Sequence, residues 1–299
     1  MRMRLLVVGG ESALGKALLT AGAEAGIDFI APEAPAEGWY AAELTAVLDR
    51  VRPGAVINLA YYRDWLQAEA FDHALMQRQA LAVQRLAGLC QHYHIPLIQP
   101  SSYRVFDGSR VAGYSEKDLP RPPGARGEAL WRVEQLVRAL CPMHILLRLG
   151  WVLDESPEGR LGRLLRQMSV EQIVPLASDR RGNPTTVGDA ARVLLAIVKQ
   201  LDCGAPLWGT YHYGAQEAVS ELGLAETVAM LWQEFERPVR CEWQEVPHLE
   251  RADAAEEPQH GVLISRKLLN TFGIKARRWQ QELPALLQGF RQDEVGFDE

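Results

Sequence analysis

Leu5-Leu6-Val7-Val8-Gly9-Gly10-Glu11-Ser12-Ala13-Leu14-Gly15 decides how the rest of the chain is read. Four apolar residues in a row fit a strand buried on both faces. The glycines after them fit a sharp turn into a helix over Ala13 to Ala25. Such a turn can hold a pyrophosphate, because small residues let backbone N–H groups close in and a helix N-terminus favours negative charge. Gly9 and Gly15 stand at the ends of a G-x-x-G-x-x-G spacing, with Gly10, Ala13 and Leu14 between them. Ser12 takes the place of the middle glycine; at negative φ it fits there and can cap the helix.

Outward from this turn, short apolar runs alternate with amphipathic stretches, the rhythm of βαβ units and a parallel sheet. Strands are expected at Phe29 to Ala31, Ala55 to Leu59, Ile95 to Ile98 and His144 to Leu147. Helices are expected at Leu44 to Val51, Trp65 to Tyr93 and Glu128 to Leu140. Beyond Trp151 the rhythm loosens. Helical segments at Leu161 to Met168, Asp189 to Lys199 and Glu217 to Phe235 alternate with short β candidates at Gly209 to Tyr213, Val239 to Glu245 and Val262 to Ser265. The expected architecture is α/β: a Rossmann-type doubly wound parallel sheet over residues 1–150 with a smaller α+β substrate lobe over 151–299. Some chain crosses back from the second lobe to the first. The loop-rich span Tyr103 to Gly127 follows a strand's carboxyl end, where open parallel sheets bind ligands. Arg251 to Gln259 reads as a polar loop.

The 299 residues are 47% hydrophobic and 23% charged, which places the chain with ordinary globular proteins rather than disordered ones. A net charge of -6 offers no basic footprint for nucleic acid and argues against an anionic membrane surface. Cys90, Cys141, Cys203 and Cys241 are too scattered for a zinc site or a redox dithiol, so no metal is expected. The apolar run Leu5 to Val8 is too short for a secretion signal or a membrane span, which makes the cytoplasm the expected compartment. Glu33 lies about 20 residues past the glycines, where an acid can bond adenosine ribose hydroxyls. With no Arg or Lys between Asp28 and Leu48, NAD is slightly favoured over NADP; a solvated loop carboxylate is the equal alternative for Glu33.

Several further stretches carry a family likeness. They are Arg52-Pro53-Gly54-Ala55-Val56-Ile57-Asn58-Leu59-Ala60, Ser101-Ser102-Tyr103-Arg104-Val105-Phe106-Asp107-Gly108, and Tyr114-Ser115-Glu116 with Asp118 and Pro122. To these add Leu147-Arg148-Leu149-Gly150-Trp151-Val152, Asp179 to Thr185 followed by Asp189-Ala190-Ala191, and Gly209-Thr210-Tyr211-His212. In this order, along nearly the whole chain, they resemble the dTDP-4-dehydrorhamnose reductase branch of the extended short-chain dehydrogenases/reductases. The resemblance implies NAD or NADP at the glycine turn and along Leu59, Ala60 and Tyr61. It also implies a nucleotide or nucleotide-sugar ligand near Ser101, Tyr103, Arg104, Trp151, Arg180 and Arg181.

Reductases of that family use a Thr or Ser, a Tyr that donates a proton to the carbonyl oxygen, and a Lys that lowers the tyrosine's pKa. Ser102 stands at the hydroxyl position. The helix that resembles Y-G-x-(S/T)-K-x-x-G-E places Arg126 on the tyrosine, Leu130 on the lysine and Glu134 on the closing acid. No Tyr or Lys occurs between Lys117 and Lys199. Arginine is too weak an acid to give up a proton near neutral pH, and leucine has no charge to tune a neighbour. Loss of a general acid removes roughly 10²–10⁴-fold of rate. The expected protein is therefore a pseudoenzyme: a nucleotide-binding relative with lost or strongly reduced reductase activity, open to a protein partner or to a homo-oligomer. The alternative is an active NAD(P)H-dependent oxidoreductase on a nucleotide sugar, with Tyr103 or Tyr114 as a relocated acid. Arg104, Arg126, Arg180 and Arg181 suggest one anion-binding cluster, or else surface arginines with no shared partner.

Overall fold

A computed structural model of the chain describes residues 4–35, 38–62, 72–204 and 207–290. The first half runs β1 (Leu5–Val8), α1 (Ala13–Glu24), β2 (Phe29–Ile30), α2 (Ala41–Val51), β3 (Ala55–Asn58), α3 (His73–His92), β4 (Leu97–Ser102), α4 (Ala125–Leu140) and β5 (His144–Leu149). The second half opens with β6 (Trp151–Leu153), α5 (Arg160–Val170), β7 (Ile173–Ala177), β8 (Arg181–Gly182), β9 (Pro184–Thr186) and α6 (Val187–Asp202). It closes with β10 (Gly209–Tyr213), β11 (Val219–Ser220), α7 (Glu221–Glu234), β12 (Glu242–Val246), β13 (His260–Gly261), α8 (Arg266–Phe272) and α9 (Leu283–Gly289).

Six strands form one sheet in the order β10-β5-β4-β3-β1-β2, and every pairing in it is parallel. β1, β3, β4 and β5 are buried along their whole lengths, as expected of strands covered by helices on both faces. The chain's direction across the sheet reverses between β1 and β3, so the turn after β1 opens at the switch point where such sheets bind ligands. β10, from the second half, completes the sheet beside β5, and α6 packs against α1. The remaining strands pair in small groups: β6 with β9, β7 with β12, and β8 with β11 and β13.

Several boundaries differ from expectation for local reasons. The long helix is described from His73, where the Asp72 carboxylate accepts from the Leu75 amide at 2.9 Å; Trp65 to Phe71 lie outside the described residues. β4 starts at Leu97 and continues to Ser102 because β5 pairs with it through the polar residues. α4 starts at Ala125, three residues before Glu128. α7 starts at Glu221, since Ser220 caps it by accepting from the Gly223 amide at 3.0 Å. Val262 to Ser265 supplies only a bridge from Leu263 to Tyr114, while the strand forms just ahead of it at β13. Among the described residues no helix is long and apolar enough to cross a membrane.

Candidate functional site

The glycine turn is built by backbone. Gly9 adopts φ +84°, and a Cβ there would lie 2.4 Å from the Ala60 amide nitrogen, so only glycine fits against the end of β3. A Cβ on Gly15 would meet the Gly10 carbonyl at 2.6 Å. Gly10 itself packs against Ala31. Ser12 takes φ -64°, and its Oγ accepts from the Gly15 amide at 3.1 Å while donating to the Gly9 carbonyl at 2.8 Å. The serine thus caps α1 and tightens the turn. Ala13 is half-buried, Leu14 is buried, and no acidic side chain stands in the helix's first turn.

Leu59 is buried beside this turn and Ala60 lies against Gly9, so both border the crevice. The Tyr61 hydroxyl donates to the Trp39 carbonyl, which ties the end of β3 to the approach to α2. Glu33 follows β2 and is exposed.

The other end of the crevice is built by side chains. Ser101 and Ser102 end β4; the Ser101 hydroxyl donates to Glu134 at 2.6 Å, and Ser102 Oγ accepts from the Arg104 amide at 3.3 Å. Arg126 and Leu130, four residues apart on α4, are 7% and 2% exposed. Burial and the neighbouring Arg104 lower the Arg126 pKa, with Glu257 opposing them. Leu130, expected on the lysine position, joins the core. Glu134 is fully buried and binds the Arg148 guanidinium through two contacts, at 2.6 and 2.8 Å. Arg148 is only 1% exposed. Burial and Arg148 push the nearby His212 down to about 3, so this histidine is neutral and structural.

The arginines do not gather as one cluster. Arg104 is buried against Glu257, with Nε and Nη2 each 2.5 Å from Oε1. Arg160, 3.7 Å from the same carboxylate, stacks 4.5 Å over the Trp151 ring, which is itself buried. Arg180 is 1% exposed and held by Asp253 in a two-pronged contact at 2.7 and 3.0 Å, while its Nε donates to His248 at 2.9 Å. Arg181 is exposed and donates to the Ala218 carbonyl at 3.2 Å. Arg104 and Arg126 thus share a site with Arg160. Arg180 is held next to that site by Asp253 and Glu221, and only Arg181 is turned away from it, exposed.

Both tyrosines considered as acids are bonded to carboxylates. The Tyr103 hydroxyl donates to Glu257 at 2.5 Å and accepts from Arg160 at 3.0 Å, and burial raises its pKa. Tyr114 donates to Asp107 at 2.6 Å and stacks on Phe106. Burial and the Asp107 hydrogen bond raise its pKa as well.

Two spaces flank this arrangement. A void of about 10 Å³ lies beside Ser102, enclosed by Tyr103, Arg104, Trp151, Arg160 and their neighbours. A cavity of about 670 Å³ lies among α5, the start of α4 and residues 251–257. Its wall carries Arg126, Arg163, Arg166 and Arg251 together with Asp253, Glu256 and Glu257. Glu256 accepts from the Ala125 and Arg126 amides, both at 3.3 Å, at the N-terminus of α4. Arg160, Arg163, Asp253, Glu256 and Glu257 were not foreseen. The i, i+3 spacing of Arg160, Arg163 and Arg166, and the acidic residues within 251–259, were the available signals.

The parallel sheet, the glycine turn at its switch point and the ligand crevice beyond β4 define a Rossmann-type protein of the extended short-chain dehydrogenase/reductase class. Residues 3–292 match the RmlD substrate binding domain model, and the chain belongs to that family. The dTDP-4-dehydrorhamnose reductase of Aggregatibacter actinomycetemcomitans is 27% identical over 290 residues, covering 94% of this chain and 97% of the relative. A crystal structure of a dTDP-4-dehydrorhamnose reductase from Clostridium acetobutylicum superposes with TM-score 0.82 at 21% identity, covering 96% of this chain and 99% of that one. The Bacillus anthracis reductase in complex with NADP gives 0.81 at 22% identity, with coverage of 96% and 99%.

Proposed function

We propose that this protein is a dTDP-4-dehydrorhamnose reductase-like binding protein that takes a nucleotide or nucleotide sugar and has lost conventional reduction. The observation that carries the reading is the Ser102 end of the crevice. By the family resemblance Arg126 and Leu130 take the Tyr and Lys positions; Leu130 is buried in the core and Arg126, 7% exposed, is no proton donor near neutral pH. The hydroxyls of Tyr103 and Tyr114 are bonded to carboxylates, which speaks against either as a substitute acid.

The glycine turn fits a dinucleotide by its build: Gly9 makes the tight turn against Ala60, Gly15 packs close on Gly10, and the N-terminus of α1 opens where a pyrophosphate would sit. Gly9, Gly10, Ser12, Ala13, Leu14 and Gly15 would hold the pyrophosphate of NAD or NADP. Glu33 would lie toward the ribose, and Leu59, Ala60 and Tyr61 along the path to the nicotinamide. A bound nicotinamide would supply a hydride; this chain's residues at the far end supply arginines and no proton donor of suitable pKa. Residues 1–150 would form the dinucleotide side and 151–299 the ligand side, in the cytoplasm. The output of a non-reducing member would pass to a protein partner or a second copy of the chain.

The test is direct. NADH, NADPH and dTDP are titrated against the purified protein by fluorescence and thermal shift, and dTDP-4-dehydrorhamnose is then added while absorbance is followed. Binding without turnover is expected. Turnover at rates usual for enzymes, roughly 1–10³ s⁻¹, would overturn the loss of reduction. Failure of the dinucleotides and dTDP to bind would overturn the nucleotide reading.

A further inference from the structure

Arg251 to Gln259 reads as a polar loop, yet it sends three acids toward the cavity beside α4. Asp253 fills the fork of Arg180, Glu256 sits on the first amides of α4, and Glu257 binds Arg104 and Arg160 while accepting from Tyr103. A guanidinium fork, a helix N-terminus and a pair of guanidiniums are each a place where an anionic ligand would be held. Here each is already occupied by a carboxylate of the same chain.

Glu257 is the innermost of the three, at 7% exposure. Burial by itself would raise its pKa, yet Arg104 and Arg160, with the hydrogen bonds from Tyr103 and Arg104, hold it below the ordinary value. It is therefore a buried, ionised carboxylate with three partners. Arg104 and Arg160 line both the small void beside Ser102 and the large cavity, so they form the wall between the two spaces. The carboxylate that fixes those arginines fixes the wall. The strap's two ends share one anchor: Asp179 accepts from the His248 amide at 2.7 Å and from the Gln259 side chain at 2.8 Å.

We propose that Glu257 is a built-in counter-anion that locks the crevice: it holds Arg104 and Arg160 in place of a ligand's phosphate and keeps the Ser102 end shut until a competing anion displaces it. The proposal rests on the nucleotide-binding reading of the same crevice and adds how that site is regulated. A phosphate brings more charge and more acceptor oxygens than a carboxylate, so it can take over the same guanidinium donors. Its arrival would release the strap between its Asp179 anchors and join the two spaces.

The test compares native protein with Glu257→Gln, which keeps an acceptor oxygen for Arg104 and removes the charge. Inorganic pyrophosphate is the probe, followed by titration calorimetry and by thermal denaturation with and without it. The variant is expected to bind pyrophosphate roughly tenfold or more tighter than the native chain, the weight of one competing charge-assisted contact. Pyrophosphate should also raise its melting temperature more. Equal or weaker binding by the variant overturns the lock. Should Glu257→Gln not fold, Asp253→Asn, whose side chain is half exposed, loosens the same strap and is read by the same criterion, with a smaller gain expected. The two readings separate cleanly. Nucleotide binding by the native chain with no pyrophosphate gain in the variant overturns the lock alone. A pyrophosphate gain with no nucleotide bound by either protein overturns the nucleotide reading alone.

Discussion

The two ends of the crevice are made of different material. Around Gly9 and Gly15 the surface is backbone, and its shape depends on side chains being absent. Around Ser102 the surface is side chain: Arg104, Arg126, Arg160, Glu257 and Tyr103 fill it with charge. A backbone-built site is fixed by the fold, so it persists as long as the sheet does. A side-chain-built site can be rewritten by a few substitutions while every strand stays in place. On the proposed reading the first is kept and the second is altered, so that a reductase fold stands without an acid and its activating cation.

The contrast can be broken first at Glu134. Glu134→Ala leaves Arg148 buried with its charge uncompensated, and the loss should be about 3–5 kcal/mol, read by denaturant unfolding. A loss well under 1 kcal/mol would mean that the side-chain end is not held by this pair. Asp154 comes next. It is fully buried just after β6, where burial pushes its pKa up to about 6. Its neutral form is therefore favoured in the folded state. That contribution is complete below the unfolded carboxyl value near ~3.9 and disappears as pH rises through about 6. Asp154→Asn should abolish that fall and gain about 3 kcal/mol at pH 7.5, with little gain at pH 4, in paired urea melts.

At the backbone end, Gly9→Ala forces a Cβ onto Ala60 at positive φ. It should cost on the order of 1–3 kcal/mol and abolish dinucleotide binding in a fluorescence titration. Retained binding would place the dinucleotide elsewhere. The smallest effect is Ser12→Ala, which removes the α1 cap; about 1 kcal/mol is expected in thermal melts.

Much of the fold was legible because strands covered on both faces leave continuous apolar runs, as in Leu5 to Val8 and Ala55 to Ile57. Gly209 to Tyr213 matched as a strand, although nothing in its residues marks it as the strand that completes the main sheet beside β5. The start of α7 was missed because Glu217 suits a helix as well as Glu221 does, and only the Ser220 cap separates them. At the site, the residues expected on the Tyr and Lys positions, Arg126 and Leu130, could be counted along α4. The grouping of Arg180 and Arg181 with Arg104 could not be tested by counting, since a side chain's face depends on the local strand. Arg251 to Gln259 was the largest miss. Charged residues that pair inside a cleft and charged residues that face water look alike in a sequence, because both are polar and lack periodicity.

The amino-acid sequence by itself determined the parallel sheet, the glycine turn, and the absence of any Tyr or Lys between Lys117 and Lys199. These follow from residue type and spacing along the chain, which are local properties. Only the tertiary structure decided that Glu257 meets Arg104 across 153 positions and that Arg104 and Arg160 stand beside Ser102. The energy of a charge depends on the groups around it in space and on its distance from water. Neither quantity is written in the order of the residues.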